Sequence, residues 1–223
     1  MSNLGSVPQI PVGTTIALVS GASWLDQFYV QAPGYPAQPI QVLGTLNATT
    51  SVPVSSNPGI ATGMLVQGYG IPFGTFVTAV NTVAGATTLT LSQAATINSG
   101  AIVPLSIFGP PLDLTGIDFS SYVRESLQSQ TILLNASTTN GLMINGGVNG
   151  TFGWNVPPAQ LPNWPIGLVA VGSLNAVVDI QASDNSGQVF DLTTQSGPIP
   201  LSVTVGNPPV AGPLGHKMIT VAP

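Results

Sequence analysis

The chain has 223 residues, of which two are Lys or Arg and seven are Asp or Glu, so charged side chains make up 4% of it and the formal net charge is -5. An ordinary soluble domain carries roughly 25%, and two basic residues cannot neutralise a run of phosphates, which excludes nucleic-acid binding and adhesion to an anionic membrane surface. The absence of Cys removes disulfides, thiol catalysis and thiolate metal sites together.

In chain order, residues 1–12 read as an arm that orders only against a neighbour, with Pro8 and Pro11 and neither the basic segment nor the apolar run of a Sec-type signal peptide. A Pro-rich joint, Pro36-Ala37-Gln38-Pro39, opens a run of short strands that closes at a second joint, Gly109-Pro110-Pro111. Inside it, Thr75–Val80 is β-branched and aromatic, Thr87–Leu91 alternates apolar with polar, and Asn57-Pro58-Gly59 and Gly68-Tyr69-Gly70 mark turns. Beyond it come turns at Asn140-Gly141 and Asn149-Gly150 and one helical turn at Pro157–Leu161, which Pro162 and Pro165 terminate; a second turn of helix over Arg124–Gln130 carries less weight. Val177–Ile180 and Ile199–Val205 are strands, and Asp184-Asn185-Ser186-Gly187 is the turn between them. Asn207-Pro208-Pro209 and Gly212-Pro213 form an extended exit, with a last strand at Lys217–Val221.

Strands at this spacing without helical patterns predict an all-β protein. Its expected organisation is an N-terminal arm at 1–12, a sandwich- or barrel-like host at 13–40 plus 110–206, a small β domain inserted at 41–109, and an extended tail at 207–223. Mean hydropathy is +0.43, but Gly, Pro, Ser, Thr and Asn interrupt every apolar run. The best spanning candidate, Ile166–Ile180, is too short and contains Ser173, Asn175 and Asp179.

Catalytic constellations are thin. The single histidine, His216, lies beside Lys217 in the tail, so no Ser or Thr has an evident base. Asp113, Asp118, Asp179, Asp184 and Asp191 are dispersed rather than paired as glycoside hydrolysis requires, and a hairpin accounts for Asp184–Gly187 more simply than calcium does. Asn-x-Ser/Thr triplets at Asn47, Asn135 and Asn149 read as turn sequences. Arg124 needs a partner if buried, and it is expected to pair with Asp113, Asp118 or another aspartate and pin the Asp113–Gly116 turn to its strand. Trp24, Trp154 and Trp164, with Tyr35 and Tyr69, are candidate interface or glycan contacts, with burial in the core the simpler reading.

The segment Pro111-Leu112-Asp113-Leu114-Thr115-Gly116, followed by Phe119 and Arg124, resembles a motif of tailed-phage structural proteins, the N-terminal domain of siphophage upper baseplate proteins. Thr14–Val30 is similar to that family's opening strands, Asn140–Ile144 to a later strand, Pro157–Leu161 to its short helical turn, and Val177–Ile180 and Gly187–Val189 to its closing hairpin region. Gly59–Val66 and Gly70–Thr75 are similar to small β modules of phage virion proteins. The turns here carry Ser, Asn and Gly where the family often has Asp or Lys.

The resemblance implies a non-enzymatic virion component of the tail, baseplate or neck, located on the particle exterior after assembly in host cytoplasm. It implies a homo-oligomer, trimer or ring, on other virion proteins, with Asp113, Gly116, Arg124 and Asp179 as structural residues. No cofactor, metal, nucleic acid or membrane partner is expected. A capsid cement or decoration protein and a carbohydrate-binding adhesin for a host-surface glycan are the alternatives.

Overall fold

The computed structural model describes residues 16–19, 23–36, 38–126, 128–160, 173–193, 199–204 and 218–221. Two strands come first, β1 (Ile16–Val19) and β2 (Gln27–Val30). Six follow in one run: β3 (Ile40–Asn47), β4 (Ser51–Val54), β5 (Leu65–Gly68), β6 (Thr75–Val83), β7 (Ala86–Leu91) and β8 (Asn98–Phe108). The rest are β9 (Asp118–Arg124), β10 (Ile132–Ser137), β11 (Met143–Asn145), β12 (Thr151–Trp154), β13 (Ser173–Ser183), β14 (Val189–Asp191), β15 (Ile199–Thr204) and β16 (Met218–Val221). The protein is all-β, and the helical turn expected near Pro157 is a single 3-10 turn at Pro158–Gln160. The chain divides into two compact units, Gln31–Leu112 and the remainder.

The Gln31–Leu112 unit is a closed barrel in the order β3-β4-β7-β6-β5-β8. Strict alternation builds it: in β3, Val42, Gly44 and Leu46 point in, while Gln41, Leu43 and Asn47 point out. Mostly aliphatic side chains fill the interior, with Leu46, Val52, Leu89 and Leu105 each fully buried, and Met64, Thr75 and Thr87 are buried with them. Gly44 is an inward position where a Cβ would strike the Leu105 side chain, so its missing side chain lets Leu105 cross the barrel. Ala84-Gly85 close the β6–β7 hairpin, with Val83 paired to Ala86 and φ of 51° and 85° at the two turn residues. Only a type I′ turn needs positive φ at both, and Ala has a Cβ that opposes it.

Pro104 sits within β8, opposite Leu43, yet leaves no gap in the ladder. The amide and carbonyl of Leu43 turn instead to Ser55, donating to its Oγ at 3.1 Å and accepting from its N–H at 2.9 Å. On the other side β5 ends at Gly68, paired with Leu105, so the N–H that Pro104 lacks would have faced a strand that has already stopped. The unit starts at Gln31, earlier than the Pro36–Pro39 joint. The buried Gln31 explains this. Its Oε1 accepts from the Gly109 amide at 3.2 Å and its Nε2 donates to the Pro36 carbonyl at 2.9 Å, while Ala32 N–H donates to the Pro110 carbonyl.

The remaining unit holds two open sheets. The larger runs β1-β15-β13-β9-β10, with β14 added on β13; the smaller runs β11-β12-β2-β16. Parallel pairs join β1 to β15 and β16 to β2, and the other ladders of both sheets are antiparallel. Phe119 on β9 stacks on Phe152 on β12 at 4.2 Å and 4°, which sets the two sheets face to face as a sandwich. From Phe152 the rings continue to Phe28 at 5.0 Å, to Trp154 at 5.5 Å from Phe28, and to Trp24, stacked on Trp154 at 4.1 Å. The expected arm at 1–12 lies outside the described residues, as does the 207–223 tail apart from β16.

Candidate functional site

The Asp113–Gly116 segment is a turn locked from inside the sandwich. Asp113 Oδ1 accepts the Thr115 amide at 2.9 Å, and the Thr115 hydrogen bonds hold this exposed carboxyl below its ordinary pKa. Gly116 has φ +79°, a left-handed conformation that calls for glycine, while a Cβ there would meet only the movable end of the exposed Asn185 side chain. The clamp is Asn145. Its Nδ2 donates to the carbonyls of Leu114 at 2.8 Å and Ile117 at 2.7 Å, and its Oδ1 accepts from the Gly147 amide at 2.8 Å. Sequence reading missed Asn145 because it ends a strand of ordinary composition; its place shortly before Gly146-Gly147 was the available signal.

Arg124 does not pin that turn. It ends β9 while Asp118 begins it, and six steps of extended chain are about 20 Å. Its Nη1 donates instead to the Ser129 carbonyl at 3.1 Å, and its Nε is buried without a hydrogen-bond partner among the described residues. Arg124 pairs in register with Val177, which makes Asp179 its diagonal neighbour on the same outer face of the sheet. The two act through space. Burial and the charge of Asp191 push the Asp179 carboxyl above its ordinary pKa, and Arg124 opposes them. Asp118 accepts from Thr138 Oγ1 at 3.0 Å, and Asp184 Oδ1 gathers the Ser186 hydroxyl at 2.6 Å and the Ser186 and Gln188 amides, which depress its pKa.

Trp24 and Trp154 are 1% and 0% exposed, so neither serves as a surface platform for sugar or partner. Stacking between the sheets removes them from the surface, and Trp24 Nε1 donates to Asp26 Oδ2 at 3.1 Å. Trp164 lies outside the described residues, as do His216 and Lys217. Tyr69 is 81% exposed and Tyr35 36%. A cavity of about 10 Å³ between Val30, Ile117, Phe119, Phe152 and Leu192 is lined by apolar side chains, with room for about one water and no polar group to hold it.

The charges are partitioned. Not one Asp, Glu, Lys, Arg or His falls within Gln31–Leu112; every one belongs to the sandwich unit's share of the sequence. Polar groups of the barrel pair among themselves, Gln41 with Ser106, Thr82 with Thr87, and Gln93 with the Phe73 carbonyl.

Fold and surface together define an all-β protein made of a charge-free closed barrel and a sandwich with an aromatic core. Comparison with protein-family models, with curated proteins and with solved structures returned no match.

Proposed function

We propose that this chain is a non-enzymatic structural component of a tailed-phage virion, of the tail, baseplate or neck, that assembles as a homo-oligomer on other virion proteins. The observation that carries the structural role is the complete absence of charge from Gln31–Leu112. Interface cores are depleted in charge because burying an ion costs its hydration. A surface made only of hydroxyl, amide, backbone and apolar groups is covered by a neighbour without that cost. The choice of a virion rests on the resemblance carried by Asp113–Gly116, Phe119 and Arg124 and the segments after them.

The test is purification of phage particles from cells that make the protein, followed by immunogold labelling with antibody against the chain. Label at the tail or neck supports this reading, and label over the whole head supports capsid decoration instead. A chain that separates wholly from the particles would overturn the virion role.

A further inference from the structure

We propose that the outer face of β3 and β8 is a self-association surface that docks on the same face of a second copy of this chain. The proposal rests on the reading above that the barrel is covered in an assembly, and it names the surface and the partner.

Phe73, Val83 and Tyr69 are exposed near turns of the barrel, whereas this face gathers two exposed aliphatic side chains on adjacent strands. Leu43 on β3 is 51% exposed and Ile102 on β8 is 69% exposed. The register pairs Leu43 with Pro104 and Thr45 with Ile102, so the two aliphatic side chains are diagonal neighbours on one face. Leu43, Ile102 and the exposed Pro104 thus form one apolar stripe.

Several polar groups around the stripe are occupied before any partner arrives. Gln41 and Ser106 bond each other at 3.0 Å and 3.3 Å, and Ser55 holds both backbone groups of Leu43. The Thr45 hydroxyl, opposite Ile102 on the same face, is left to bond water or the partner.

Charge selects the occupant. A partner bearing ionised residues would lose their hydration against a face that offers no counter-charge anywhere in its unit. The same face of a second copy brings none. A two-fold axis through the stripe sets Leu43 of each copy against Ile102 of the other, the reciprocal contact of an isologous pair. Eight residues of β3 across the two strands span about 27 by 10 Å, roughly 270 Å² per copy, about a third of the roughly 800 Å² of a standard stable interface. The contact is therefore weak alone and cumulative in an assembly.

The chain has no Cys, so a single introduced thiol reports contacts between copies without background. Leu43→Cys mixed with Ile102→Cys, each in the full chain, should form disulfide-linked dimer under mild oxidation about tenfold or more faster than Leu43→Cys mixed with Thr90→Cys. Thr90 is exposed on β7, on the opposite side of the ring. Equal rates would overturn the proposal. Leu43→Lys combined with Ile102→Lys should abolish the dimer in sedimentation velocity while the circular dichroism spectrum is kept. Mixing that variant with Leu43→Glu/Ile102→Glu should restore association as a heterodimer. An oligomer whose size survives the double-lysine change uses another face, which defeats this inference and leaves the structural-subunit reading standing. A chain monomeric over its whole soluble range counts against both.

Discussion

Across Gln31–Leu112 the protein closes six strands around an aliphatic core and places no charge at all, whereas the remaining unit stacks five aromatic rings between two open sheets and carries every ion. The charges of the open unit are not edge guards. The edge strands β1, β10, β11 and β16 carry none, whereas Asp118 and Arg124 stand on β9 and Asp179 on β13, inside the larger sheet. The difference lies in what each surface gives up to a neighbour: the barrel has no ion to desolvate, and the sandwich has several.

The comparison breaks most visibly at Trp154. Trp154→Ala should remove about 3–5 kcal/mol from the sandwich, because two ring contacts vanish and a large cavity remains. Trp154→Phe should cost less than about 2 kcal/mol, since it keeps a ring and deletes an indole N–H that has no hydrogen-bond partner among the described residues. Hydrogen exchange should show amides of β2, β9 and β12 losing protection in the alanine variant while those of β3–β8 keep theirs. Uniform loss across both groups would show that the two units do not fold separately.

Next in size is Asn145→Ala, which strips one hydrogen bond each from the Leu114 and Ile117 carbonyls and the Gly147 amide and should cost about 2–3 kcal/mol in denaturant unfolding. An unchanged midpoint would show that the turn holds without its clamp. Ala84→Gly acts on the barrel in the opposite direction. Relief of a left-handed alanine, offset by the added freedom of the unfolded chain, should stabilise it by about 0.5–1 kcal/mol. A lower melting temperature would contradict the turn geometry.

The smallest effect belongs to Asp179. Its pKa in the folded state is raised by burial and by Asp191, so its contribution favours the fold below the ordinary carboxylate range and is lost as pH rises through the folded pKa. Asp179→Asn should therefore be the more stable protein near neutrality, by less than about 1 kcal/mol because the site is partly screened by solvent. The gap should close in acid, which a series of denaturant midpoints against pH would reveal. A constant difference at every pH would assign the effect to packing.

What could be read from the sequence was local. Alternation in Thr87–Leu91 and the turn residues at Asn57-Pro58-Gly59, Asn140-Gly141 and Asp184–Gly187 announced strands and turns, because side-chain period and positive φ are properties of neighbouring residues. Of the three turns, Asp184–Gly187 alone joins two paired strands as a hairpin. Closure of the barrel was not legible. It depends on β3 pairing with β8, so that Ile40 meets Ile107 from far along the chain, and no periodicity encodes that. Arg124 acts on another aspartate, Asp179, rather than on Asp113 or Asp118, for a related reason. Proximity in sequence to Asp118 became distance in space once the intervening residues extended as one strand. Asn145 and Gln31 carry their weight through backbone carbonyls and amides of distant segments, and an isolated amide side chain looks the same whether it clamps a turn or faces water. The charge partition was visible residue by residue, yet it acquired meaning only when the boundaries at Gln31 and Leu112 were drawn.

The ion-free composition of the barrel also fixes how it answers to its medium. With no carboxylate, imidazole, amine or guanidinium in Gln31–Leu112, folding there neither takes up nor releases protons through the acid and neutral range. Linkage then requires its stability to be level with pH. Acid strong enough to protonate Asp113 and Asp184 would loosen the turns they hold in the sandwich and leave the barrel's free energy where it stood. Ionic strength has equally little to act on, since screening needs charges to screen. Stomach-like acidity and neutral water should be the same solvent to it.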